Sequence, residues 1–121
     1  MKTRKIGAAL TVALAALAYA GAPAAADGHV QRSDGSARVT FYSTGEKLKV
    51  CDGRKDGHSA VARLYRSDTG KTYSVWRRAG VGCSTFNYSM PEGTNVKYRA
   101  CLGNWNNKTY WGCSVRVDDE A

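Results

Sequence analysis

The 121-residue chain carries 18 basic and 10 acidic residues, a formal net charge of +8, and four cysteines. This length excludes more than one domain of ordinary size, and a domain so small buries only roughly 60–65% of its unfolded surface, so its core alone is marginal. Four cysteines in a short exported chain read as two disulfides and not as metal ligands or a redox pair.

The first segment points to export. Lys2, Arg4 and Lys5 precede an apolar run from Ile6 to Ala20, and small residues lead to Asp27, the pattern of a signal peptide with cleavage expected after Ala26. The run is shorter than the ~20 apolar residues that span a bilayer, so no transmembrane segment is expected in the mature chain. Removing residues 1–26 takes away three basic residues and no acidic ones, which lowers the net charge to +5.

Residues 27–37, rich in Gly, Ser, Asp and Arg, are expected to form a flexible N-terminal arm, and residues 38–121 a single domain. From there, β-branched and aromatic residues alternate with polar ones in short runs separated by turn residues. Candidate strands lie at 38–43, 46–51, 59–66, 71–77, 83–89, 95–101 and 108–117. No run has helical periodicity, so the expected class is all-β, an antiparallel sandwich of about seven strands. Strand parity assigns Val39, Phe41, Leu48, Val50, Ala60, Ala62, Leu64, Tyr73, Val75, Phe86, Tyr88, Met90, Val96, Tyr98, Ala100, Val115 and Val117 to the interior. Lys47, Lys49, Arg63, Lys97, Arg99 and Arg116 fall on solvated outer faces.

The run KLKVCDGRKDGHSAVARLY resembles strands B and C of a fibronectin type III domain, and FNYSMPEGTNVKYRACLGN with the later SVRV resembles that family's E, F and G strands. Two positions depart from the family: Asp52 stands where it has a core Trp, and Val96 lies nearest its tyrosine corner. The pattern is also similar to small exported actinobacterial proteins of unassigned role. On the immunoglobulin-like topology this implies, Cys51 ends strand B beside Cys83 of strand E, and Cys101 of strand F lies across a hairpin from Cys113 of strand G. The expected disulfides are therefore Cys51–Cys83 and Cys101–Cys113. Cys113 shares the inward phase of Val115 whereas Cys101 is outward, so a bulge at Gly103 or Gly112 is required.

Chemistry-bearing residues gather in VCDGRKDGHS, residues 50–59. DGRKDG follows the start of a calcium loop, but Arg54 and Arg63 occupy positions that need oxygen ligands. No metal or other cofactor is expected. Asp52, Asp56, His58 and Ser59 lack the strained turn that exposes a nucleophile, and Glu46, Glu92 and His58 fall near different turns, so no acid/base pair is evident and no enzyme is expected. Nucleic acid is suggested by charge alone, without an aromatic RNA-binding signature, so no specific nucleic-acid partner is expected.

In the implied topology the 50–59 loop, the 78–82 loop and the 102–107 turn emerge at one end. That end would gather Arg54, Lys55, His58, Arg77, Arg78, Trp105 and Lys108 as a cationic, aromatic binding surface. Two readings stand for Trp105: an indole that stacks on a sugar or anchors a partner, or one folded over the Cys101–Cys113 disulfide. The expected function is a secreted, monomeric, non-enzymatic binding module for an extracellular protein or polysaccharide, on an anionic or glycan-bearing surface. The alternative is an inhibitor of an extracellular hydrolase, since Trp76-Arg77-Arg78 resembles the Trp-Arg-Tyr contact of microbial α-amylase inhibitors. A cationic antibacterial toxin or nuclease carries less weight.

Overall fold

The computed structural model describes residues 27–121, and the leader expected over residues 1–26 lies outside them. Nine strands form two antiparallel sheets: β1 (Gly28–Gln31), β2 (Ala37–Tyr42), β3 (Lys47–Asp52), β4 (Ser59–Arg66), β5 (Lys71–Arg77), β6 (Gly82–Asn87), β7 (Asn95–Asn104), β8 (Thr109–Trp111) and β9 (Val117–Glu120). One sheet runs β1-β2-β3-β6; the other runs β5-β4-β7-β8, with β9 also paired to β7. No described helix is long and apolar enough to cross a membrane.

Period-two alternation decides which residues meet between the sheets. Phe41, Leu48, Leu64, Val96 and Tyr98 are fully buried, and the Phe41 and Tyr98 rings lie 6.2 Å apart across the interior. The Tyr98 hydroxyl donates to Asp119 at 2.7 Å, which satisfies the one polar atom this ring carries inward.

Three expectations are corrected. The segment read as a flexible arm carries β1, which pairs with β2 from Gly28↔Phe41 to Gln31↔Arg38 and contributes Val30 to the core. The final strand is broken, because residues 112–116 face only residues 99–101 of β7. This two-residue surplus, opened at Gly112 with a φ of +60°, turns Val115 out to 77% exposure. Tyr73, also assigned inward, is 36% exposed because β5 is an edge strand.

The same break settles the cysteine phase. Cys101 shares the outer face of its sheet with Val61 and Trp76, its neighbours in register, and the displaced backbone brings Cys113 to it. Cys51 and Cys83 are direct cross-strand partners and form the other disulfide. Val61 and Cys101 are fully buried although they face away from the core. Trp76 lies over this strip, and a Cβ on Gly103 would meet its Cζ3 at 2.7 Å and Val61 Cγ2 at 2.6 Å, so glycine is what lets the indole close down.

Candidate functional site

The loops after β3, β5 and β7 emerge at one end of the sandwich, joined there by the turn between β1 and β2. Short polar side chains shape them. Asp52 Oδ1 accepts the Arg54 N–H and Asp56 Oδ1 the His58 N–H, each at 3.0 Å, so VCDGRKDGHS folds as two consecutive side-chain-closed turns. In the β7–β8 turn, Asn104 Oδ1 accepts the Asn106 N–H, and Asn107 Oδ1 accepts the Thr109 hydroxyl at 2.6 Å.

The residues expected to form one surface are divided among several contacts. Trp105, Arg78 and Lys108 come together: the Arg78 guanidinium lies 3.9 Å and the Lys108 ammonium 3.7 Å from the indole centre, and Lys108 Nζ also donates to the Trp105 carbonyl. Trp105 meets Trp76 edge-on, with centroids 5.3 Å apart. Arg77 turns elsewhere. Its guanidinium donates to the carbonyls of Gly80, Val81 and Cys83 and to the Ser84 hydroxyl, so it braces the β5–β6 loop. Arg54 pairs with Asp34 at 3.4 Å, the His58 ring stands edge-on to Trp111 at 5.0 Å, and Lys55 is exposed.

Within the chain, the Trp105 side chain meets Trp76, Arg78 and Lys108. The indole forms the end wall of an open groove, enclosing about 450 Å³, between edge strand β5 and edge strand β6. Tyr73, Trp76, Phe86 and Tyr88 line it, with Arg78 at the Trp105 end and Arg66 at the other. From Tyr73 to Arg78 is five residues of extended chain, about 16 Å at ~3.3 Å per residue. Arg66 donates twice to Asp68, at 3.0 and 2.7 Å, and this holds the Asp68 carboxyl below the usual carboxylate range. Burial pushes the Tyr88 phenol upward, so it stays a neutral donor in the groove.

Sequence reasoning missed Arg66, Tyr73, Phe86 and Tyr88 as site residues. Their inward parity assigned the three aromatics to the core, and only knowing that β5 and β6 are both edges shows that this part of the interior opens sideways.

Two acidic residues at this end, Asp34 and Asp52, behave oppositely. Asp34 is held well below the ordinary carboxylate range by hydrogen bonds from the Ser36 hydroxyl and N–H, with Arg32 adding to them. Asp52 is 2% exposed, and burial raises its pKa, with Asp56 adding repulsion against the pull of the Arg54 N–H. A carboxyl raised in the fold stabilises it most below about pH 4, and that contribution is lost as pH rises through the folded value. Asp52→Asn keeps an acceptor for the Arg54 N–H and removes the buried charge. Thermal melts should show a Tm a few degrees higher than the parent at pH 7 and no difference at pH 3; a lower Tm at pH 7 would contradict this account of Asp52.

Among the described residues, no three His, Cys, Asp or Glu side chains stand close enough together to hold a metal ion. Comparison with known protein families, curated proteins and solved structures finds no match to this chain.

Proposed function

We propose that this is an exported, non-enzymatic binding module that holds a glycan chain in the β5–β6 groove. The observation that carries the reading is the row Tyr73, Tyr88, Phe86, Trp76 and Trp105 along an open, shallow channel with a guanidinium at either end. Aromatic faces with polar rims suit sugars, whose C–H faces stack while their hydroxyls reach the edges. The ligand need not be small, because the channel is open along its length. Export is supported by the leader pattern and by the two disulfides, which persist in oxidising compartments. An immunoglobulin or fibronectin type III relationship is supported by the strand order, in which β2-β3-β6 and β5-β4-β7-β8 stand where that architecture has A-B-E and C′-C-F-G.

The alternative reading, an inhibitor of an extracellular hydrolase, draws on the Trp76-Arg77-Arg78 run. Trp76 and Arg78 line the groove, whereas Arg77 donates to the β5–β6 loop it braces and stands apart from them.

Retention of the disulfide-intact protein on insoluble chitin, cellulose and bacterial cell walls is the experiment. Trp105→Ala should lower retention on the binding matrix by about tenfold or more, in the range of a residue that anchors an interface. Arg54→Ala, at the same end but outside the groove, should leave it unchanged. Equal retention of the Trp105→Ala variant and the parent would overturn the reading.

A further inference from the structure

The outer face of the β4–β7 pair carries a second cluster, outside the groove and outside the loop end. Arg63 and Arg99 are direct cross-strand partners, as are Tyr65 and Lys97 in the next pair but one. Like charges placed opposite one another on a sheet destabilise it. Their side chains, with Lys97, Arg116, Tyr65 and Tyr110, line a cavity of about 200 Å³. Among the described residues the one ion pair made by these four cations is Lys97 with Asp118, at 3.3 Å. Arg63 is fixed from both sides: it donates to the Ser74 hydroxyl at 2.7 Å, and its guanidinium lies 4.6 Å from the centre of the Tyr110 ring.

We infer that this cavity is a second binding site, for the sulfate or phosphate groups of an anionic polysaccharide. A pre-positioned guanidinium beside a second one matches the bidentate geometry of a tetrahedral oxyanion, and an anion between them relieves their repulsion. The volume lies below the ~300–1,000 Å³ of sites that enclose a whole small molecule, so it fits one charged group of a longer chain crossing the open face. Nucleic acid is disfavoured because Arg63 takes one face of Tyr110, the more exposed of the two rings that line the cavity. The inference is independent of the groove, since the two sites share no lining residue.

The test is affinity for heparin and for teichoic acid, as sulfate- and phosphate-bearing probes, with uncharged dextran and single-stranded DNA as comparisons. The protein should bind at least one of the two anionic polysaccharides, with affinity falling steeply as salt rises, and dextran should not compete. The double variant Arg63→Gln/Arg99→Gln should bind about tenfold or more weakly, as expected for losing two charge-assisted contacts to the anion, while Arg54→Ala, which lines neither site, retains most of the affinity. Without ligand, Arg99→Gln should melt at or above the parent temperature, because a repulsive pair has been removed. That result separates lost binding from lost folding. Binding to neither polysaccharide, undiminished binding by the double variant, or tighter binding to single-stranded DNA through the same arginines would each overturn the inference.

Discussion

Replacing Cys51 and Cys83 together by alanine is expected to cost about 4 kcal/mol of stability, the chain-entropy value for a crosslink of this span. The two residues are 32 apart in sequence, and their bond ties β3 to β6 at the end where the loops emerge. Without it, β6 is an edge strand held on one side by β3 alone, and the Arg77 brace rests on a loop free to move. The Cys101–Cys113 bond closes a shorter loop of 12 residues and should contribute about 3 kcal/mol in the same model. A domain of this size has a total stability of roughly 5–14 kcal/mol, so the first change alone removes a large share of it. Urea denaturation of the purified variant is the measurement. A midpoint within error of the parent would mean that the β3–β6 ladder suffices and that the crosslink is dispensable.

The second large effect is expected at Phe41. Its ring is fully buried on β2, in contact range of Tyr98 from the opposite sheet, so it joins the two layers near their centre. Truncation to alanine removes that contact and leaves a cavity that neighbours on two hydrogen-bonded sheets cannot collapse into, a cost of about 3–5 kcal/mol. By contrast, Tyr98→Phe keeps the ring and loses only the hydroxyl bond to Asp119, which is worth about 1 kcal/mol. The ratio of these two losses in urea melts checks whether ring packing or the polar bond holds the layers together. A larger loss for Tyr98→Phe would contradict the packing account.

The elements most legible in the sequence are those whose signal is local. β4 and β5 begin and end where their alternation does, at Ser59–Arg66 and Lys71–Arg77, because apolar inward positions and flanking turn residues agree there. Both disulfides follow from the immunoglobulin-like topology that the resemblance implies. β1 was illegible because Gly28–Gln31 holds a single apolar residue, Val30, and pairs through its backbone with β2. The broken last strand was expected only as a bulge, since nothing local to Val115 distinguishes an inward from an outward valine once the chain has slipped at Gly112.

The sites depend on relationships that no local pattern carries. Parity placed Phe86 and Tyr88 inside, correctly in direction, yet whether inside means core or open groove depends on which strands are edges. Arg63 and Arg99 read singly as solvated charges; the register that sets them opposite one another is a property of the β4–β7 pairing. The loop 50–59 that looked richest in chemistry spends its two aspartates on turn geometry and its cysteine on the crosslink.

The three tryptophans allow the central claim to be tested directly, because each indole N–H gives its own signal and they divide between two places: Trp76 and Trp105 in the groove, Trp111 against His58. Titrating the labelled protein with chitohexaose, cellohexaose and soluble cell-wall glycan fragments should shift the Trp76 and Trp105 signals with at least one of these ligands and leave Trp111 in place. Binding that moves Trp111 alone, or no shift of Trp76 and Trp105 with any of them, would contradict the assignment of the β5–β6 groove as a glycan site.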